Sequence, residues 1–410
     1  MKASREDSPL SSPRVLYSFP YRIGAQRVCL TAWQQAVWVA SAGAKVNVLC
    51  GSVFRSLGVD LCVHPTLSRG LVKLPFRVLG RYRTLQLHDW LTARWLDDHH
   101  ASVDLFHGWP LASLRTMRVA RRHGIPCLLE RPNAHTEYAF QASAEENRLL
   151  GLSPPAAHDH TFDRQVLDHE EREYAECDFL LCPSSFVART FLERSTPASK
   201  ILRHHYGFDD IRFFPGDQNP ESCGLTAIYA GVCEPRKGLH YALEAWLASE
   251  AHVGGRFLIC GTFVPGYAEK LGSLLSHPSV EVLGHRNDLP EIMRKSDLFI
   301  LSSLEEGSAL VTYEARGCGC VLLVSDASGA PCSHEINALV HPMRSVDCLT
   351  SHLNLVHCDR RVLSSLRKTS LIDLKMLTWQ AAGITLLEVY RTTLASGGAS
   401  TQLDYSSTTQ

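Results

Sequence analysis

None of the 14 cysteines in this 410-residue chain forms a C-x-x-C pair, so the thiolate spacing of a zinc ribbon is excluded. No uncharged apolar run reaches the roughly 18 residues that a membrane-spanning helix needs. Basic excess is missing too: 41 Lys and Arg stand against 42 Asp and Glu, net -1, which argues against a nucleic-acid partner held by bulk charge. The opening residues, MKASREDSPLSS, lack the basic-then-apolar pattern of a secretory leader. No D-x-D element sits in a strand–loop setting, and the two halves share no close repeat.

What is present is ordinary globular material, 45% hydrophobic and 20% charged. The length implies two domains of roughly 150–200 residues each. Most cysteines lie inside apolar runs, such as Cys50 in KVNVLC and Cys260 in FLIC. That is the habit of reduced thiols acting as small hydrophobes, and a reducing cytoplasm is expected. Residues 1–13 and 397–410 are polar and are expected to be disordered.

Between them, short apolar runs alternate with helical patterns. RVLYSF, KVNVLC, VDLFHGW, IPCLLE and DFLLCP read as strands, and Cys29 to Ala42 as a helix ended by Gly43. Residues 207–223, rich in Gly, Pro, Asp and Asn, read as a linker. The alternation then restarts. TAIYAG, GRFLICG, VEVLG, DLFILSS and CVLLVSD are strands, separated by helices over Gly238–Ser249, Tyr267–Leu275, Leu289–Arg294 and Ala309–Arg316. Alternation of this kind predicts α/β domains with parallel, doubly wound sheets. The expected division is 14–206, 224–375 and a last helix over 376–395. Two such sheets facing each other make a cleft at the carboxyl ends of their strands.

The segment DLFILSSLEEGSALVTYEARGCGCVLLVSD, Asp297 to Asp326, carries the strongest chemistry. A buried strand ends in two serines, a loop holds Glu305, Glu306 and Gly307, and a helix begins near Ser308 with Glu314 about two turns in. Free amides at that helix start suit an anion such as a diphosphate. A second segment, AIYAGVCEPRKGLHYALEAW, runs a strand into a loop at Gly231 that carries Arg236 and Lys237. Paired cations at a cleft rim match the two phosphates of a nucleoside diphosphate; standing alone, they also read as a basic pair on a solvated turn. A third, VEVLGHRNDLPEIMRKSDLFI, places Gly284 and His285 at a strand end.

Together these segments resemble the family 4 retaining glycosyltransferases, which have the GT-B fold of two Rossmann-like domains and a last helix crossing back to the first. The resemblance rests on Ser302-Ser303, Glu306-Gly307 and Glu314-Ala315. It is tight in the second half and looser in the first. It implies a nucleotide-sugar donor, a glycan or lipid-linked acceptor, and a role in polysaccharide or glycoconjugate biosynthesis. Glu306 would contact the transferred sugar, Glu314 the ribose, and Lys237, with Arg236, the phosphates. Gly307, Ser308, Ala309 and Leu310 would line the donor, and Gly284 and His285 would lie beside the base. His135, just after the IPCLLE strand, would face the sugar, and Gly24 in SFPYRIGAQ would approach the donor by its amide. The chain departs from the family at Val232, where arginine is usual, and at Ala309, where glycine is usual. No essential metal or cofactor is implied. An epimerase or phosphorylase of the same fold, or a nucleotide-sugar-binding protein without turnover, are the alternatives.

Three further stretches have more than one reading. Arg69 to Trp95, basic with interleaved apolar residues, reads as a helix with one buried face or as a peripheral membrane contact. His158 to Glu171 reads as an acceptor-side loop and helix or as a metal site. Gly317 to Cys320, GCGC, reads as tight helix–strand packing.

Overall fold

A computed structural model describes residues 12–395 apart from 59–60, 70–71, 74–79, 154–158 and 217–223. The expected disordered ends, much of the linker and part of the Arg69–Trp95 stretch lie outside the described residues.

The first domain contains β1 (Arg14–Ile23), α1 (Val28–Ser41), β2 (Lys45–Val53), β3 (Cys62–Pro65), α2 (Arg81–His99), β4 (Leu105–Gly108), α3 (Leu114–Arg122), β5 (Cys127–Glu130), α4 (Thr136–Leu149), α5 (Arg164–Glu176), β6 (Phe179–Cys182), α6 (Ser185–Leu192) and β7 (Ile201–Arg203). The second contains β8 (Thr226–Ala230), α7 (Leu239–Ala248), β9 (Arg256–Cys260), β10 (Val280–Val282), α8 (Leu289–Arg294), β11 (Leu298–Leu301), α9 (Leu310–Gly317), β12 (Val321–Ser325), β13 (Ala338–His341), α10 (Val346–Cys358) and α11 (Arg360–Ile372), and is followed by α12 (Trp379–Ala395). The seven-stranded sheet has the order β3-β2-β1-β4-β5-β6-β7, and the six-stranded sheet the order β10-β9-β8-β11-β12-β13. All these pairings are parallel. The strand order reverses between β1 and β4 in one sheet and between β8 and β11 in the other, and ligands bind at such switch points.

Several elements differ from the sequence expectation. β1 runs four residues past RVLYSF. The helix expected over Tyr267–Leu275 is two single turns, Tyr267–Lys270 and Gly272–Leu275, because Leu271 leaves helical geometry. α9 begins at Leu310, with Ser308 before it and Ala309 as its N-cap, so Glu314 lies little more than one turn in. The short edge strands β3, β7 and β13 were not anticipated.

The chain crosses between the domains twice at one place, where Phe208 bridges Thr378. Tyr206, Phe208, Phe213, Trp379 and Ala382 pack into the second-domain core. Further along α12, Leu386, Leu387, Val389 and Tyr390 pack into the first. Tyr390 hydrogen-bonds His107 Nδ1 at 2.7 Å. His107 in turn meets Glu130 at 3.2 Å. Glu130 also takes hydrogen bonds from Gln35, His204 and Tyr206. Burial pushes the Glu130 carboxyl up, but the charge of His204 and the bonds from His107 and His204 overcome this and hold it well below the usual range. His107 and Trp109, at the end of β4, therefore serve this interior network.

α2 buries Leu85, His88, Asp89, Thr92, Ala93 and Leu96. Asp89 accepts the Arg115 and Thr116 amides at the start of α3. Arg83, Trp90 and Arg94 stay exposed on the other face. Among the described residues, no helix is long and apolar enough to cross a membrane. No group of three or more His, Cys, Asp or Glu there could hold a metal ion. Of the GCGC run, Cys318 and Cys320 are buried with their thiols on the carbonyls of Pro290 and Met293.

Candidate functional site

The two loops at the second switch point follow β8 and β11. After β8, the chain passes Gly231 (φ 147) and makes one 3-10 turn over Pro235–Lys237. The turn ends at Gly238, whose φ of 64 is left-handed. A β-carbon on Gly238 would lie 1.9 Å from the Ser302 carbonyl oxygen, so only glycine lets the turn press against the end of β11. The Leu304 amide completes the seam by donating to the Arg236 carbonyl at 2.8 Å. This packing brings Arg236 and Lys237 onto Glu305 and Glu306.

The two cations have different surroundings. Lys237 Nζ pairs with Glu306 Oε1, and both side chains keep some exposure, 15% and 12%. Arg236 is buried. Its guanidinium bonds Glu234 at 2.8 Å, Glu305 Oε2 at 3.0 Å and the Glu305 carbonyl, and it lies 3.8 Å from Glu306. Burial pulls the Arg236 pKa down, but the carboxylates of Glu306, Glu234 and Glu305 outweigh it and raise it overall. The sequence reading paired Arg236 with Lys237 as free phosphate ligands. In the structure Arg236 is held by carboxylates and its side chain is 8% exposed, while Lys237, paired with Glu306 alone, is the more exposed of the two cations.

α9 begins at Leu310, and its N-cap, Ala309, gives no side-chain cap. The Ala309 amide donates to Ser328 O, and the Thr312 amide to Ala309 O. The amides of Leu310 and Val311 have no acceptor among the described residues. Ser308 Oγ is shared with Tyr313 OH at 2.8 Å and Gly329 O at 3.0 Å. An uncapped helix start suits an anion in chemical terms, and this one follows the loop that holds Glu306, the partner of Lys237. Deeper in α9, the Glu314 side chain has no hydrogen bond or ion pair among the described residues. Burial is the main reason its pKa rises from 4.5 to about 7, with Arg212 pulling down and Asp209 pushing up.

Gly307 meets the first domain. A β-carbon there would fall 1.6 Å from the Pro132 carbonyl oxygen, and the Gly307 carbonyl accepts from Ser184 Oγ at 2.5 Å. Gly307→Ala is therefore expected to part the loops and lower stability by about 1–3 kcal/mol. A thermal melt checks this. Gly272→Ala, whose β-carbon meets nothing within 4 Å, is the control and should melt close to wild type.

The remaining candidates lie elsewhere. Gly284 (φ 67) and His285 follow β10, with His285 exposed. Gly24 closes the turn after β1, its amide on the Cys29 carbonyl at 2.8 Å. His135, expected to face a sugar, is the N-cap of α4, where its Nδ1 accepts the Glu137 amide. Its ring lies edge-on to Phe191 and tilted against Tyr174, about 5 Å from each. Burial first, then the nearby Arg131 charge, drops its pKa to about 3. The structure thus places a neutral His135 ring against Tyr174 and Phe191, one residue after Ala134. Two residues that sequence reasoning missed do reach the cluster, Ala134 by its amide on Glu305 at 3.0 Å and His160 at 3.3 Å from the same carboxylate. Nothing in a linear pattern marks them, because about 145–170 residues separate them from Glu305.

Comparison with known proteins adds the following. Residues 224–359 match the family model described as Glycosyl transferases group 1. A UDP-Gal:alpha-D-GlcNAc-diphosphoundecaprenol alpha-1,3-galactosyltransferase of Escherichia coli is 35% identical over 89 residues, 21% of this chain and 23% of that protein. An N,N'-diacetylbacillosaminyl-diphospho-undecaprenol alpha-1,3-N-acetylgalactosaminyltransferase of Campylobacter jejuni is 29% identical over 101 residues, 24% of this chain and 27% of that protein. The chain thus spans about a quarter of the length of these curated relatives. Among solved structures, Anabaena Alr3699/HepE in complex with UDP and glucose superposes with a TM-score of 0.61 at 13% identity, over 93% of this chain and 100% of that one. At that identity the likeness shows the fold, two facing Rossmann-like domains of the GT-B type.

Proposed function

We propose that this chain, whose residues 224–359 match the family model described as Glycosyl transferases group 1, is a retaining glycosyltransferase. It takes a nucleotide-sugar donor and passes the sugar to a lipid-linked or glycan acceptor. The observation that carries the reading is the conjunction at the second switch point: the partly exposed Lys237 paired with Glu306, on the loop that leads into the start of α9, where the Leu310 and Val311 amides have no acceptor among the described residues. A nucleoside diphosphate leaving group gains negative charge as the bond to the sugar breaks, and positioned donors stabilise that charge. On donor entry the diphosphate shares Lys237 with Glu306 and takes the Leu310 and Val311 amides. Glu306 then lies beside the sugar, whose oxocarbenium-like character favours a nearby carboxylate. These groups supply the positive charge without a metal. The two relatives named above are alpha-1,3-transferases that act on diphosphoundecaprenol-linked sugars, which supports an α product and an acceptor carried on a lipid diphosphate. The exposed Arg83, Trp90 and Arg94 of α2 suit a peripheral contact with an anionic bilayer holding such an acceptor.

The test is transfer from UDP-galactose or UDP-N-acetylgalactosamine to a sugar on a polyprenyl diphosphate, with the new anomeric proton read by NMR. An α product supports retention, and a β product overturns it.

Glu314 is assigned to the ribose. Its raised pKa has a definite sign. Between 4.5 and about 7 the folded chain holds a proton that the unfolded chain has released, so stability falls as pH rises through that window. A ribose diol donating to the carboxylate favours the ionised form. Preference for ribonucleoside over 2′-deoxynucleoside diphosphate is therefore expected to grow as pH rises through 7. In Glu314→Gln, both the preference and the stability should lose this pH dependence. Calorimetric titrations at pH 6 and 8, with melts alongside, check both.

A further inference from the structure

The loop that carries Glu306 is tied to the first domain through the residue before it. Glu305 is fully buried. One carboxylate oxygen accepts the Ala134 amide at 3.0 Å. The other lies 3.0 Å from Arg236 Nη1 and 3.3 Å from His160 Nε2. Ala134 and His160 belong to the first domain, and Arg236 to the second. Tyr138 OH on the Leu304 carbonyl at 3.4 Å and Ser184 on the Gly307 carbonyl dock the same loop. Burial raises the Glu305 pKa, but the His160 hydrogen bond, the Arg236 charge and the Ala134 amide reverse this and bring it to about 2. From Glu305 the contacts continue through Arg236 to Glu306 at 3.8 Å and from Glu306 to Lys237. One unbroken line of polar contacts thus runs from the first domain to the candidate donor site.

We infer that Glu305 is a positioning residue for the transfer proposed above: docking of the first domain through Ala134 and His160 fixes the carboxylate that holds Arg236, and Arg236 sets where Glu306 and Lys237 stand. A buried ion pair is a poor device for merely joining two surfaces, because desolvation offsets much of the Coulombic gain. Directional, charged hydrogen bonds do hold a guanidinium in one orientation. In this arrangement, separation of the domains releases Glu305 from Ala134 and His160, and the donor loop loses its aim while its phosphate cation remains. The inference rests on reading the Lys237–Glu306 cluster as the donor site.

Glu305→Gln keeps size and shape. UDP affinity is expected to stay within about threefold of wild type, while kcat falls on the order of 10–100-fold, the scale of a small misplacement of reacting groups. The Ala134 amide should exchange with deuterium faster, with the strand amides of Leu128 and Leu129 unchanged. His160→Ala loosens the same contact from the other domain, and the double variant should lose no more than the worse single one, as expected for residues that act as a unit. Unchanged kcat and Ala134 exchange in Glu305→Gln, or losses that add in the double variant, overturn the inference while leaving the donor site standing. A wild-type chain that binds none of UDP, GDP, ADP and TDP and transfers no sugar fails the donor-site reading, and the inference falls with it.

Discussion

Lys237→Ala is expected to lower turnover about 10²–10³-fold, the usual cost of removing one donor aimed at developing negative charge. Its melting temperature should barely change. The reason lies in what the side chain leaves behind. Lys237 pairs with Glu306, and both retain some exposure. Without the lysine, Glu306 still has Arg236 at 3.8 Å, so no carboxylate is left buried and uncompensated. The Leu310 and Val311 amides continue to hold part of the diphosphate, so binding weakens less than turnover. Steady-state kinetics with a nucleotide sugar, beside a thermal melt of the free protein, separate the two effects. Wild-type turnover in Lys237→Ala would place the phosphate cation elsewhere.

The neighbouring residue should behave in the opposite way. Arg236→Met is expected to cost about 3–5 kcal/mol of folding stability, the scale for removing one partner of a buried ion pair. Glu305 is fully buried and Glu234 nearly so, and both lose their shared cation. The loss should appear in the free protein, in chemical denaturation with no ligand present. It should also appear as partial release of the first domain, since Glu305 then faces Ala134 and His160 alone. If Arg236→Met melted like wild type and lost only turnover, Arg236 would be a phosphate ligand after all and the geometry described here would be misread. Two adjacent cations in one loop thus have separable expected roles: one carries the chemistry, and the other carries the architecture.

The corners at the switch point were legible in the sequence because they are local. An apolar run ending in Ser302-Ser303, then Glu306-Gly307, then Glu314 on a helix writes strand, loop and helix in one stretch. The same holds for the β8 run, the turn at Pro235–Lys237 and Gly238. The division of labour between Arg236 and Lys237 was not legible, because it depends on Glu305 and Glu234 closing around one guanidinium. The role of Glu305 was not legible for the same reason: its partners on the first domain are far away in the chain. His135 follows a strand, as a ligand-facing histidine would, yet the ring turns toward Tyr174 and Phe191 once α5 and α6 pack beside it. β3, β7 and β13 are short edge strands of three or four residues. Their segments CVHP, ILR and ALVH are too brief and mixed to show a period, and only pairing with a neighbour makes them strands. The buried Glu130 network joins five separate parts of the chain, at Gln35, His107, Glu130, His204–Tyr206 and Tyr390, and leaves no pattern in any one of them.

The most direct test of the central claim, that the Lys237–Glu306 loops and the start of α9 hold a nucleoside diphosphate, is a calorimetric titration of the wild-type chain and Lys237→Ala with UDP, GDP, ADP and TDP. Expected is saturable binding of one of these to wild type, weakened at least tenfold in Lys237→Ala, a difference of about 1.4 kcal/mol. Equal affinity in both proteins, or no binding of any nucleotide to wild type, would contradict it.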